Sequence, residues 1–340
     1  DDMIDRYDNA VGYLELTDEE KAFLFQNVNI FRGFLFSEND GGGRGFHDLY
    51  TWQDGYLPTF LQPVVNTMQR TEYSFSKLTH EMKKMNINTA SISFHSRFAS
   101  MDSEFKHEKE NSKSSSKVSE YLLSQYIIHK CGFKTNFDRV RVAPAFLEEV
   151  ENIVNKNEKD RMRCLELIEL LNEWGYYIPQ VFSLGGILYS ETVTEVTDLE
   201  MAEKEKTDFS ASFDTSFRQI GGGGAYGGSW MTEQKDSSSH KFENTALYQI
   251  GGAAGASSDY VRWTTSLYDA KRWNLSALTT LYPSLMLLLA CEDGNHGGAL
   301  LNTCLRLING NLADKSIPEL QPYIDLGRYA SAITTRLYPY

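Results

Sequence analysis

The stretch TDFSASFDTSF (residues 207–217) constrains this chain most, because it satisfies two structural periods at once. Phe209, Ala211, Phe213, Thr215 and Phe217 share one parity, and Asp208, Ser210, Ser212, Asp214 and Ser216 share the other. That alternation belongs to a β-strand with one apolar and one wet face. Phe209, Phe213 and Phe217 also stand at i, i+4 and i+8, which is one stripe of an α-helix. An ordinary sandwich strand is one reading. A segment that is helical in one state and extended in another is the second.

Along the rest of the chain the periods sort into helices and strands. TDEEKAFLFQNV carries Thr17 as a cap and Glu20 three residues later, a capping-box pattern that predicts a helix. SENDGGGRG (37–45) reads as a loop and SKLTHEMKKM as a short helix within 75–90. In ASISFHSRF, Ile92, Phe94 and Phe98 share a parity. Residues 102–117 are polar and serine-rich, too poor in apolar side chains to order on their own. VSEYLLSQYIIHK (118–130) reads as a strand, and APAFLEEVENIV and DRMRCLELIELLNEW as helices, the latter with Cys164, Leu165, Ile168 and Leu171 on one stripe. Residues 174–196 read as a strand interrupted by Pro179 and by Gly185–Gly186. A second polar segment follows at 198–208, then the 207–217 stretch. GGGGAYGGS (221–229) breaks regular structure, and 241–255 reads as a strand running into Gly251–Gly252. The C-terminal part, including NLSALTTLYPSLMLLL and GALLNTCLRLI, reads as helix-rich. A strand, a polar serine-rich segment and a returning strand thus occur twice, over about 88–131 and about 181–250.

Composition narrows the function classes. The chain has 340 residues, 41% of them hydrophobic, enough for a large core and one or two domains. A net charge of −13 argues against generic nucleic-acid binding and against loose adsorption to anionic lipid. Four cysteines, Cys131, Cys164, Cys291 and Cys304, form no CxxC and no Cys/His zinc spacing, so no metal site is expected. Cys291 and Cys304 flank a glycine-rich turn, and either a disulfide there or four free thiols fits. There is no HExxH, no GxSxG, and no Lys-Ser/Thr after the glycine-rich loops. His95 sits in a candidate strand and reads as solvent-exposed. No enzyme and no cofactor are expected. No signal peptide is visible in DDMIDRYDNA, and the longest apolar run, 281–290, holds Pro283 and Ser284 and is too short for a membrane helix, so the expectation is a soluble protein.

One region resembles a known family. In the region of residues 140–190, RVRVAPAFLEEVENIV…LELIELLNEWGYYIPQVFSLGGILYSE, Trp174 and Gly175 match the opening of the aromatic-Gly-Thr-His-aromatic motif of the membrane attack complex/perforin family. Tyr176 and Tyr177 replace its Thr and His, and Ile178 its closing aromatic. Gly185 and Gly186 match its glycine pair. LYQIGGAAG…VRWTTSL is similar to its fourth strand, with Gly251, Gly252, Trp263, Ser266 and Leu267. The resemblance covers roughly 75–325. It implies an α+β fold: a bent four-stranded antiparallel sheet flanked by two helical clusters, each of which unwinds into an amphipathic β-hairpin when protomers assemble into rings. On that basis Phe209, Ala211, Phe213 and Phe217 belong to the second membrane-inserting hairpin, and Ile92, Phe94 and Phe98 to the first. Nine or so tilted residues span a bilayer as a strand, one parity facing lipid and the other a wet lumen. The two glycine pairs then serve as the sheet bend and hinge, or else as two β-bulges. The implied division is an N-terminal segment 1–60 packed on the main domain, a pore-forming domain 61–325 and a tail 326–340. The implied function is a secreted, soluble monomer that becomes a membrane-inserted oligomer, with the target membrane and its own copies as partners. A non-lytic adhesion or signalling protein of the same fold, and an unrelated secreted α+β binding module, are the alternatives.

Overall fold

The computed structural model describes residues 12–35, 42–61, 66–88, 117–222, 240–242, 245–311 and 326–339. Two long strands form its axis. β6 (Val118–Lys134) and β8 (Tyr177–Val196) run antiparallel from Val118↔Val196 to Lys134↔Val181. Their β-branched and aromatic residues are buried on both faces over much of this length, which selects a central position in a sheet. Outside β6 lie two short strands end to end, β4 (Thr59–Leu61) and β5 (Asn66–Ser74). Outside β8 the same arrangement recurs. β10 (Asn274–Pro283) pairs with residues 177–185 and β9 (Tyr248–Ile250) with 187–189. β1 (Phe34–Leu35) and β2 (Gly43–Arg44) extend the sheet beyond Tyr177. A separate ribbon joins β3 (Tyr50–Trp52) to β7 (Val140–Val142).

The fold is α+β and the sheet is antiparallel, and among the described residues it has eight strands where four are expected. Both outer positions are shared by two short strands in place of one long one. The register slips between His129 and Cys131, opposite Gly185 and Leu184, so Lys130 is a bulge in β6 at the level of the first glycine pair. Bulges bend and twist the strand that holds them.

The helices that lie wholly among the described residues are α1 (Asp18–Asn27), α2 (Lys77–Lys84), α3 (Pro144–Asn155), α4 (Asp160–Trp174), α5 (Leu199–Gln219), α6 (Tyr260–Ser266), α7 (Gly294–Asn311) and α8 (Leu326–Leu337). α1 starts at the predicted capping box: Glu20 N–H donates to Thr17 Oγ1 at 3.2 Å, and Thr17 N–H to Glu20 Oε2 at 2.9 Å. Phe25 of α1 meets Phe133 of β6 and Phe182 of β8 edge-on, with ring centroids 5.0 and 6.1 Å away. The same core takes in Trp174 of α4, Leu301 of α7 and Tyr329 of α8. Among the described residues no helix is long and apolar enough to cross a membrane.

Several predicted elements differ. Residues 274–283 are a strand, not a helix, followed by a 3-10 segment, Ser284–Ala290. β8 runs unbroken through Pro179 and Gly185–Gly186. Pro179 stands between the last β6 pair at Val181 and the β1 pair at Tyr177, where that side of β8 has no partner strand, and proline is tolerated at such edges. The strand expected over 241–255 is only Tyr248–Ile250, with a 3-10 turn at His240–Phe242. All four cysteines are free thiols, three of them buried, so Cys291 and Cys304 form no disulfide.

Candidate functional site

Two insertions leave the sheet near one end. The first connects β5, which stops at Ser74, to β6, which starts at Val118; the second connects β8, which stops at Val196, to β9, which starts at Tyr248. Ser74 pairs with Tyr121, Val118 with Val196, and Tyr248 with Tyr189, so the exits and entries cluster along neighbouring antiparallel strands. Each insertion sends a helix back along the sheet, one on each face. Alternate residues of β6 meet the two helices, as the period of a strand requires.

The 207–217 stretch lies in α5, the helix of the second insertion. Asp198 caps it by accepting from Met201 N–H at 2.8 Å, and it ends at Gln219 before Gly221 in the left-handed region (φ 90°). Phe209, Phe213 and Phe217 are buried against the sheet in the helical stripe. Phe209 packs on Leu122 and, edge-on at 5.4 Å, on Phe242. Phe213 stacks on Phe217 at 6.0 Å, and Phe217 lies 4.5 Å from Tyr126. Ala211 is exposed; its grouping with the rings exists only in the strand period. The opposite parity makes the polar contacts. Thr71 Oγ1 donates to Ser210 Oγ at 3.0 Å, Gln69 Nε2 donates to Asp214 Oδ1, and Ser212 Oγ donates to the Phe242 carbonyl at 2.8 Å. Burial of its carboxyl raises the Asp214 pKa.

On the other face α2 is held by polar bonds. His80 Nε2 lies 2.7 Å from Glu191 Oε2, Lys84 Nζ donates to Glu191 Oε1 at 3.1 Å, and Gln125 Nε2 donates to the Lys84 carbonyl at 2.9 Å. His80, Glu81 and Glu191 lie near enough to hold a cation, but the Lys84 ammonium already sits against both carboxylates, at 3.4 Å from Glu81. This is a docking network and not a metal centre. Ile92, Phe94 and Phe98, with the rest of 89–116, lie outside the described residues.

The four predicted bend glycines come together. A Cβ on Gly185 would stand 2.0 Å from the Ile128 carbonyl, and one on Gly251 2.6 Å from the Gly185 carbonyl. Gly186 and Gly252 form the seat of α6: a Cβ on either would lie 2.8 or 2.7 Å from the Trp263 indole. Trp263 Nε1 donates to the Gly251 carbonyl at 3.2 Å. α6 also reaches the end of α5. Tyr260 N–H donates to the Ile220 carbonyl at 2.8 Å, its hydroxyl lies 2.9 Å from that of Tyr126, and its ring meets Phe217 at 5.3 Å.

The predicted motif Trp174, Gly175, Tyr176 and Tyr177 is buried at the far end of β8. Trp174 Nε1 donates to Glu149 Oε2 at 3.1 Å, Tyr176 OH donates to Asn172 Oδ1 at 2.7 Å, and both tyrosine rings meet Tyr329 edge-on. This is a packing junction between α4, the sheet and α8, remote from the two insertions. Three residues that matter at the α5 interface escape the sequence reading: Glu120, Glu205 and Lys241. Glu120 was legible, since Val118, Glu120, Leu122 and Ser124 share one strand parity and a carboxylate there is out of place.

The family model for the MAC/Perforin domain matches residues 58–275, which contains both insertions and the glycine seat. No curated protein matches the chain. Among solved structures it is similar to GNIP1Aa from Chromobacterium piscinae, at 12% identity and TM-score 0.41, covering 83% of this chain and 54% of that one. It is similar to a protein with a MAC/Perforin domain from Bacteroides thetaiotaomicron described as a cell invasion protein, at 15% identity and TM-score 0.33, covering 73% and 51%. It is also similar to astrotactin-2, a vertebrate-specific, perforin-like membrane protein, at 8% identity and TM-score 0.34, covering 82% and 44%. The chain therefore spans about half the length of these structures. With its domain match extending over more than half its residues, the chain belongs to the MAC/Perforin domain family.

Proposed function

We propose that this chain is a pore-forming protein, a toxin or immune effector, that assembles into rings on a target membrane and inserts both sheet insertions as amphipathic β-hairpins. The observation that carries this reading is α5. It follows β8 and docks through Phe209, Phe213 and Phe217 as a helix, while residues 207–217 within it keep strict two-residue alternation. A globular helix has no physical need of that alternation. A strand that must face lipid on one side and water on the other does. Its 21 residues exceed the 9–11 or so that a tilted strand needs to cross a bilayer. An isolated hairpin leaves backbone groups unpaired in lipid, so insertion requires a closed barrel and hence an oligomer. With a net charge of −13, first attachment falls to a specific lipid headgroup or receptor. In this reading the protein is secreted as a monomer and does no catalysis.

The test is electron microscopy of the protein on lipid vesicles, together with release of an encapsulated dye. Rings or arcs with dye release are expected. Attachment without rings and without leakage would sink the pore-forming reading and leave a non-lytic adhesion or signalling role.

A further inference from the structure

Glu120 lies beneath α5, fully buried, with no hydrogen-bond partner for either carboxylate oxygen. It stands on β6 opposite Thr194 of β8, on the same face as Leu122, which packs on Phe209. One turn before Phe209 comes Glu205, also buried. Glu205 Oε1 takes the Lys241 ammonium at 2.7 Å, and its Oε2 is unpartnered. Lys241 also donates to Thr194 Oγ1 at 3.0 Å.

The charged groups around Glu120 are therefore Glu205, Glu203 and Lys206 on α5 and Lys241 on the 3-10 turn. β8 offers the uncharged Thr194, and β5 offers Tyr73, whose hydroxyl donates to Glu203 at 2.9 Å. Among the described residues the Lys241 ammonium is engaged by Glu205, and that of Lys206 lies 3.8 Å from Glu203 and over the Tyr73 ring. An ionised Glu120 would thus be a buried anion facing a second carboxylate across the helix–sheet contact, with no hydrogen bond to either of its oxygens. Burial first, then the Glu205 and Glu203 charges, push its pKa up to about 8, against the opposing pull of Lys241 and Lys206.

We propose that the proton held on Glu120 is the catch that keeps α5 on the sheet, and that its loss in mildly alkaline solution frees the second insertion. The effect on membranes rests on the pore-forming reading; the catch does not. A folded value above the ordinary 4.5 means that the stabilisation is complete below that value and is lost as pH rises through about 8.

The experiment follows the full chain without membranes. Infrared difference spectra of the wild type between about pH 6 and about pH 10 should show loss of a protonated-carboxyl C=O stretch. Hydrogen exchange in 199–219, corrected for intrinsic rate, should rise by up to about tenfold per pH unit, the limit for one proton, as pH approaches about 8, and level off above it. In Glu120→Gln, which keeps the shape without the titration, that rise should vanish. No protonated-carboxyl band in the wild type, or the same exchange profile in Glu120→Gln as in the wild type, would overturn the proposal. Because the infrared readout needs no variant, a Gln substitution that fails to fold does not rescue it. Vesicle leakage measured in parallel separates the two ideas: alkaline release of α5 without leakage keeps the catch and removes the pore.

Discussion

Trp263 lies so close over Gly186 that a methyl group added to the glycine would stand 2.8 Å from the indole, and Leu267 crowds the same point at 2.8 Å. The family resemblance implies that Gly186 belongs to a sheet bend and hinge, or else to a β-bulge. The structure makes it a seat with no free volume. Gly186→Val is expected to destabilise the folded protein by about 1–3 kcal/mol through overpacking. Trp263→Ala should cost about 3–5 kcal/mol as a large-to-small change. The double variant should cost less than the sum by about 0.5–3 kcal/mol, because the smaller side chain makes room for the larger. Urea unfolding of the four proteins measures this. Additive losses would show that the indole does not sit on the glycine.

Gly175 ends α4 at φ 103°, a conformation that side chains rarely adopt. A Cβ there would also stand 2.5 Å from the backbone of Gly33. Gly175→Ala should therefore cost more than the roughly 1–3 kcal/mol of backbone strain alone. Since the site is remote from both insertions, leakage per folded molecule should be unchanged. Thermal melting and dye release at matched folded concentration check the two halves.

His129 gives the acid limb of the stability profile. It is buried, with Nδ1 2.8 Å from Ser276 Oγ, and burial, aided by the Arg70 charge, lowers its pKa from 6.5 to about 4. A depressed value means the folded state favours the neutral ring. Its stabilisation is present above about 6.5 and is lost as pH falls toward about 4. Melting temperatures measured across that window should fall in the wild type and fall less steeply in His129→Gln. An unchanged slope in the variant would assign the acid loss to other groups.

How much of this was legible depends on whether each element keeps its period. The capping box at Thr17 and the Cys164–Leu171 stripe are local signals, and both helices stand where they predict. β10 is misread as helix for a physical reason. Its register slips between Leu275 and Ala277, between Leu278 and Thr280, and again at Leu281. The first two slips each add a residue to β10 and the third adds one to β8, so Leu275, Leu278 and Leu281 recur at three and the strand imitates a helix. The glycine pairs were visible as glycines, but that Gly186, Gly251 and Gly252 meet Trp263 while Gly185 closes on Ile128 is a long-range fact that no local pattern carries. Glu205 and Lys241 find each other only once the helix and the turn are both in place.

The two periods of 207–217 make the last prediction, because they assign opposite outcomes to adjacent residues. Phe213 is 2% exposed in the docked helix and shares the lipid-facing parity of the strand; Ser212 is half-buried and on the other parity. An arginine at position 213 should cost about 2–4 kcal/mol per strand at the bilayer midplane, repeated in every protomer of a ring. It should also loosen the soluble form, since losing a buried Phe typically costs about 3–5 kcal/mol. Ser212→Arg gives up one hydrogen bond to the Phe242 carbonyl, about 1 kcal/mol, and should then be tolerated by the lumen. Melting curves must come first, so that leakage is compared only between folded proteins. The decisive measurement is an environment-sensitive dye on single cysteines along 208–217, with Cys131, Cys164, Cys291 and Cys304 replaced. Without membranes the signal should follow the helix, buried at 209, 213 and 217. With membranes it should switch to strict alternation. A helical pattern that persists on vesicles would show that α5 stays a helix and that its alternation has no part in spanning the bilayer.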